Sequence, residues 1–241
     1  MFDFLRRRTS YLESGLLEGG ADHHSHILYG VDDGVRTEEE AMAILEWYTR
    51  HGISHIWCTP HIMEDLPNTT EKLKARFGEL LAAYKGPVQL HLGAEYMLDN
   101  LYTQRLEEGD LILHSPGRVL VETSTIAPPL QLWEQLERTM SLGYRPIIAH
   151  PERYRYMTPE DYARLNDMGV LMQLNLTSLS GYYGKDTLAR AEWLLKRGYY
   201  TMTGSDCHRL GAYRNQCHKK TLPYKDVEKL RPLMRPYLEE A

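Results

Sequence analysis

Residues 21–34 read ADHHSHILYGVDDG, three histidines and three aspartates in fourteen positions. His24 and His26 are two apart, so an extended strand turns both imidazoles to one face, a chelating arrangement. Near the other end of the chain Asp206 and His208 repeat that interval, with Cys207 turned away. Between these pairs, apolar runs close one after another in residues able to hold a metal: His61, Glu95, Glu122 and His150. With Asp33 the candidates number nine, and since one cation takes about four to six ligands, more than one is implied. Imidazole and carboxylate without thiolate suit zinc, manganese or iron rather than calcium, and a shared carboxylate lets two cations sit close together. Such a centre hydrolyses phosphate esters or amides.

A lone histidine near a strand end is more often structural than ligating, and His23, His51, His55, His91, His114 and His218 are read that way. Asp32 and Asp33 precede a glycine and read equally well as a turn. Glu95 and Glu122 close apolar runs, where an unpaired carboxylate is costly; a metal or an arginine is almost required there.

These residues need elements that bring them together. The runs ADHHSH, ISHIWCTPH, VQLHLGAEY, RVLVETS, RPIIAHPERY, VLMQLNLTS and YYTMTGSDCH predict seven strands. Helices are expected over 37–51, 69–84, 129–142, 158–168, 186–197 and 225–240, with a shorter, less regular connection at MLDNLYTQRLEEGD. Thr37 and Glu40 fit a capping box, and Gly52, Gly143, Gly169 and Gly198 stand where helices should stop. This β/α rhythm allows an open doubly wound sheet or a closed barrel, and periodicity does not separate them. A barrel gathers every strand's carboxyl end around one rim, so the convergence of polar residues favours it.

No linker divides the 241 residues, which predicts one domain over 21–241 behind a solvated leader, 1–20. The leader's apolar stretches are broken by charge too soon for a signal peptide or membrane span, so no stable membrane insertion is expected. A net charge of −5 gives no field to gather nucleic acid. Three widely spaced cysteines make neither a disulfide framework nor a thiolate zinc site and suit a reducing cytoplasm.

The motifs DHHSHILYGVDDG, TPH, GAEY, VLVETS, IIAHPERY and GSDCH, in that order, resemble the PHP phosphoesterases. Within these they resemble the bacterial manganese-dependent protein-tyrosine phosphatases of the CpsB/YwqE type, over about residues 21 to 220. The resemblance implies an α/β fold of the PHP kind, a distorted (β/α)7 TIM-like barrel with three divalent ions at its mouth. Manganese is the expected metal, with iron, zinc or magnesium as alternatives. By motif position the first ion takes His24, His26, Glu95 and Asp206; the second shares Glu95 and adds Glu122 and His150; the third takes Asp33, His61 and His208. The resemblance also implies catalytic roles for Arg153 of HPERY and Arg214 of YRNQ. Arg209 is a rival, because SDCHRLGAYRNQ is slightly lengthened and replaces the commoner asparagine after His208.

The implied reaction is attack by a metal-bridging hydroxide on phosphotyrosine, with the arginines on the phosphoryl oxygens. A phenol of pKa about 10 leaves readily, with His208 or a metal-bound water as possible proton donor. A cysteine mechanism would need Cys-x5-Arg, which none of the three cysteines offers. The implied partner is a bacterial tyrosine autokinase of capsule or exopolysaccharide synthesis. The alternatives are a phosphoesterase acting on a small monoester such as histidinol phosphate, and a non-catalytic metal-binding regulatory module.

Overall fold

All seven apolar runs become strands, and two of them break partway. The computed structural model describes residues 7–236. In chain order the first half comprises β1 (Arg8–Thr9), β2 (Ala21–Ser25), α1 (Glu38–Arg50), β3 (His55–Cys58), β4 (His61–Ile62), α2 (Thr70–Ala83), β5 (Gln89–Leu92), β6 (Glu95–Met97), α3 (Asn100–Glu108) and β7 (Arg118–Glu122). The second half comprises α4 (Leu132–Ser141), β8 (Arg145–Ala149), α5 (Pro159–Asp167), β9 (Leu171–Asn175), α6 (Lys185–Arg197), β10 (Met202–Gly204), α7 (Leu210–His218), β11 (Leu222–Pro223) and α8 (Tyr224–Leu230).

Pro60, which has no N–H to give a ladder, separates β3 from β4, and Gly93 with Ala94 separates β5 from β6. The broken strands divide between two parallel sheets, β2-β3-β5 and β10-β9-β8-β7-β6-β4. The ladders therefore define an α/β fold of two parallel sheets rather than one continuous ring. A single parallel bridge, Ser25 to Cys207, joins β2 to the segment after β10, and the Asp206 amide donates to the His24 carbonyl at 2.8 Å.

Alternation along β7 to β9 sorts the core. Val119, Val121, Ile148, Met172 and Leu174 pack with helix residues such as Leu136, Leu165 and Leu194. Leu120, Ile147, Ala149 and Leu171, joined by Met202 of β10, form a separate strand-only cluster on the opposite face. Burying each of the Val, Leu, Ile and Met side chains among these contributes roughly 1.5–3 kcal/mol.

Several expectations change. Tyr11, Leu16 and Leu17 are buried, and β1 pairs antiparallel with β11, so the described part of the first twenty residues packs instead of standing free. The Thr37 hydroxyl accepts from the Glu40 amide, but Glu40 reaches back to the Arg36 amide at 2.8 Å rather than to that of Thr37, so the box is shifted by one residue. The helix expected over 225–240 is shorter: α8 passes into a 3-10 turn over Arg231–Met234 containing Pro232, and residues 237–241 lie outside the described part. The sequence reading missed α7, which has no capping side chain at Arg209 and only two turns of apolar pattern. The glycines at the four expected helix stops all take left-handed backbone. Among the described residues no helix is long and apolar enough to cross a membrane.

Candidate metal centre

Glu95, at the start of β6, is fully buried and lies at the middle of the polar cluster. Its Oε2 is 3.1 Å from His24 Nε2, 3.3 Å from His26 Nε2 and 3.1 Å from His61 Nδ1, while Oε1 is 3.1 Å from His150 Nε2. Glu122, ending β7, brings Oε1 to 3.1 Å from His61 Nδ1 and Oε2 to 3.7 Å from His150 Nε2. Asp206 Oδ1 lies 3.3 Å from His26 Nε2 and 3.4 Å from His208 Nδ1. Asp33 Oδ1 completes the group, 3.2 Å from His208 Nε2 and 3.6 Å from His61 Nε2. All nine expected ligand residues meet.

Four sets of ligand atoms lie within 4.8 Å of one another: His26, Asp33, His61 and His208; His24, Glu95 and His150; His24, His26 and Asp206; His61, Glu95 and Glu122. These sets overlap, and His26 joins the one expected to hold only Asp33, His61 and His208. Glu95 Oε2 and His61 Nδ1 are buried and make no hydrogen bond although they stand 3.1 Å apart. Atoms this close that point past one another suit a shared cation, so the residues fit metal.

Outer contacts fix the rings. His24 Nδ1 donates to Gln173 Oε1 at 2.8 Å, and His26 Nδ1 donates to Asp32 Oδ2 at 2.8 Å, which turns both Nε2 atoms inward. Asp32 also accepts from the amides of Gly34 and His61, so it anchors the loop while its neighbour Asp33 faces the cluster. Gly34 is required by contact: a Cβ there would lie 2.2 Å from the His26 carbonyl oxygen.

His150 (φ 34°) and Asp206 (φ 51°) are the only described non-glycine residues with left-handed backbone. Strain held at two candidate ligands is a mark of a working site. Past His150, a 3-10 turn over Pro151–Arg153 aims Arg153 back at the cluster, where its Nη1 donates to Asp206 Oδ2 at 2.8 Å. Its guanidinium also lies over the Tyr183 ring at 4.5 Å. Glu152, fully buried, ties this turn to the end of β9 through the Ser178 hydroxyl (2.7 Å) and the Asn175 amide (3.0 Å). Arg209 lines the same cleft, its Nη1 donating to the carbonyls of Asp33 and Gly34. Arg214 is exposed on α7 and is not among the residues lining the cleft.

Opposite charges set the ionisation. Burial works against a charge on His24, but Glu95 and Asp206 outweigh it and push that imidazole up to about 9. Burial likewise opposes charge on Glu95, and His24 and His61 still hold it well below the usual carboxylate range. The site is a sink for positive charge.

Four of the six histidines read as structural gather around Trp57 instead. His91 stacks on Trp57 at 4.2 Å and pairs with His55 at 2.9 Å; His23 and His114 stack or tilt against the same indole region. Cys58, Cys207 and Cys217 are buried free thiols, all pushed upward chiefly by burial, which disfavours the thiolate a nucleophile needs. Sequence reasoning missed Gln173, Asn175, Glu152 and Tyr183. Gln173 and Asn175 interrupt the apolar run of β9 at the same two-residue interval that marked the histidines, so a signal was there.

Strand ends delivering imidazoles, carboxylates and a guanidinium to one cleft define an α/β protein with a centre able to hold several cations. The chain belongs to the CpsB/CapC family of capsular polysaccharide synthesis, whose model matches residues 20–222. It is similar to the tyrosine-protein phosphatase CpsB of Streptococcus pneumoniae, 32% identical over 203 residues that cover 78% of this chain and 83% of that protein. The tyrosine-protein phosphatase YwqE of Bacillus subtilis (strain 168) is 28% identical over 195 residues, covering 78% and 76%. Among solved structures, one reported with YwqE and CpsB as unique metal-dependent tyrosine phosphatases shares the fold, with a TM-score of 0.74 at 24% identity over 86% of this chain and 84% of that one.

Proposed function

We infer that this chain is a metal-dependent protein-tyrosine phosphatase, a phosphoric monoester hydrolase. The observation that carries this is the meeting of nine ligand residues around buried Glu95 with Arg153 at their edge. Three divalent cations, manganese first, would be held by His24, His26, Glu95 and Asp206, by Glu95, Glu122 and His150, and by Asp33, His61 and His208. When bound they supply Lewis acidity, which lowers the pKa of water toward neutrality and draws charge from a phosphoryl group.

The chain's own residues do the rest. Arg153, held by Asp206 and Tyr183, presents a planar fork to phosphoryl oxygens where charge is carried in the transition state. His208 is the most open imidazole of the cluster, 28% exposed, and with Nε2 given to a cation its proton is carried on Nδ1, 3.0 Å from the Asp206 carbonyl. The sheet break at Pro60 and Gly93, with the Ser25–Cys207 bridge, supports counting β3–β4 and β5–β6 as two strands of a distorted seven-stranded barrel. The family's link to capsule synthesis supports a tyrosine kinase of that process as the protein substrate, and three free thiols suit a cytoplasmic setting.

The test is a substrate panel with added manganese. Phosphotyrosine peptide should be turned over far faster than phosphoserine peptide, histidinol phosphate or oligonucleotide, chelator should abolish turnover, and Asp206→Ala and His150→Ala should be inactive. Full activity in either variant would remove the cluster from the reaction.

A further inference from the structure

The cleft beside the cluster encloses about 350 Å³, and its wall carries charged groups from nearly every strand end together with two adjacent tyrosines, Tyr182 and Tyr183. Tyr183 is already engaged. Its ring lies beneath the Arg153 guanidinium, and its hydroxyl accepts from Asn175 Nδ2 at 3.3 Å and lies 3.4 Å from Asp206 Oδ2. Tyr182 is not: it is 50% exposed, and among the described residues its ring pairs with one other aromatic, Tyr183, edge-on at 4.9 Å and 79°.

An exposed aromatic ring alone signifies nothing. This one is fixed relative to the phosphoryl-binding groups. Gly181 (φ 77°) and Gly184 (φ 95°) bracket the pair in left-handed turns, and the Tyr182 amide donates to the Thr177 carbonyl at 3.3 Å. Tyr183 then links the turn to Arg153 through a cation–π contact, so the backbone that carries Tyr182 is tied to the arginine. A phosphoryl group held at Arg153 leaves its ester substituent to find its own surface. A phenyl ring finds an apolar face here that accepts the offset or edge-on packing aromatic pairs prefer, and a short alkyl chain does not reach that benefit.

The geometry points to Tyr182 as the residue that selects aryl over alkyl phosphates, its ring packing against the ring of the phosphotyrosine leaving group. This rests on the phosphatase reading above and names the contact that gives it its specificity. Tyr183 is the positioning residue that holds Tyr182 and Arg153 in register.

The experiment compares the manganese-loaded full chain with Tyr182→Ala and Tyr182→Phe, on phosphotyrosine peptide and on glycerol 2-phosphate, with inhibition by inorganic phosphate read alongside. Tyr182→Ala should raise KM for the phosphotyrosine peptide about tenfold with kcat little changed. KM for glycerol 2-phosphate and the phosphate inhibition constant should stay at wild-type values, and Tyr182→Phe should restore the peptide KM. An unchanged peptide KM in Tyr182→Ala, or an equal loss on both substrates, overturns the inference while leaving the phosphatase intact. A wild-type protein that hydrolyses glycerol 2-phosphate but not the peptide overturns the functional reading itself, and this inference with it.

Discussion

His24 Nε2 and His26 Nε2 stand 3.0 Å apart while both Nδ1 atoms already donate outward, to Gln173 and Asp32. Neutral rings in that tautomer face each other lone pair to lone pair, which is favourable only with positive charge between them. Without metal that charge is a proton, since Glu95 and Asp206 overcome burial to push His24 up to about 9. Protons and cations therefore compete for one place.

Manganese binding to metal-free protein at pH 7 should release protons, and apparent affinity should climb as pH rises toward about 9. Calorimetry in buffers of different ionisation enthalpy reads the release directly. Binding with no proton exchange would contradict the assigned ring states.

Gln173→Leu removes the acceptor that fixes the His24 tautomer without touching a ligand. Metal affinity should drop by about 10–100-fold, and activity at limiting manganese should fall with it and recover at high manganese. Asp32→Asn should act in the same way through His26.

Gly34→Ala puts a methyl group 2.5 Å from His26 Cβ as well as against the His26 carbonyl. The backbone has to move, at about 1–3 kcal/mol, and His26 moves with it. Lower thermal stability together with weaker manganese binding is expected; a stable variant with normal binding would show that the loop yields without disturbing the ring.

Arg209→Ala and Arg214→Ala separate the two arginines near the last metal pair. Freed from Arg209, the Asp33–Gly34 carbonyls lose their clamp, and metal affinity should fall about tenfold or more. Arg214→Ala alters only an exposed helix position and should leave turnover within about twofold. The reverse ranking in steady-state assays would restore Arg214 to the site.

Away from the metal centre, burial and the neighbouring His55 hold His91 down at about 4, against 6.5 when unfolded. His114 is lowered further, by burial and His23. A depressed imidazole adds its stabilisation fully above pH 6.5 and loses it as pH falls toward 4. With chelator present, Tm should decline across that window, and His91→Phe, which keeps a ring against Trp57, should shallow the decline. Parallel slopes in the two proteins would assign the acid sensitivity elsewhere.

Eight of the nine residues that meet around Glu95 were legible because each stands at the end of an apolar run, where an unpaired polar group is too costly to be idle. Asp33 lies in a loop, read equally well as a turn and entered through the resemblance, and the same reasoning passed over Gln173 and Asn175, whose amides bear no charge to balance. Arg214, implied by the resemblance, lies exposed on α7 while Arg209 lines the cleft: without a helix foreseen from Leu210, spacing alone does not show which arginine turns toward it. The two-sheet break was written in Pro60 and Gly93, yet a proline inside an apolar run reads as a strand end as readily as a step between sheets. Left-handed backbone at His150 and Asp206 had no sequence signal, since neither residue type demands it.

The three sequestered thiols have a consequence for how the protein would be switched. Phosphatases that attack with a cysteine fall silent when peroxide or an alkylating agent reaches that sulfur. Here all three sulfhydryls are buried and burial pushes each of them upward, so iodoacetamide should leave dephosphorylation running even though Cys207 stands in the cleft wall.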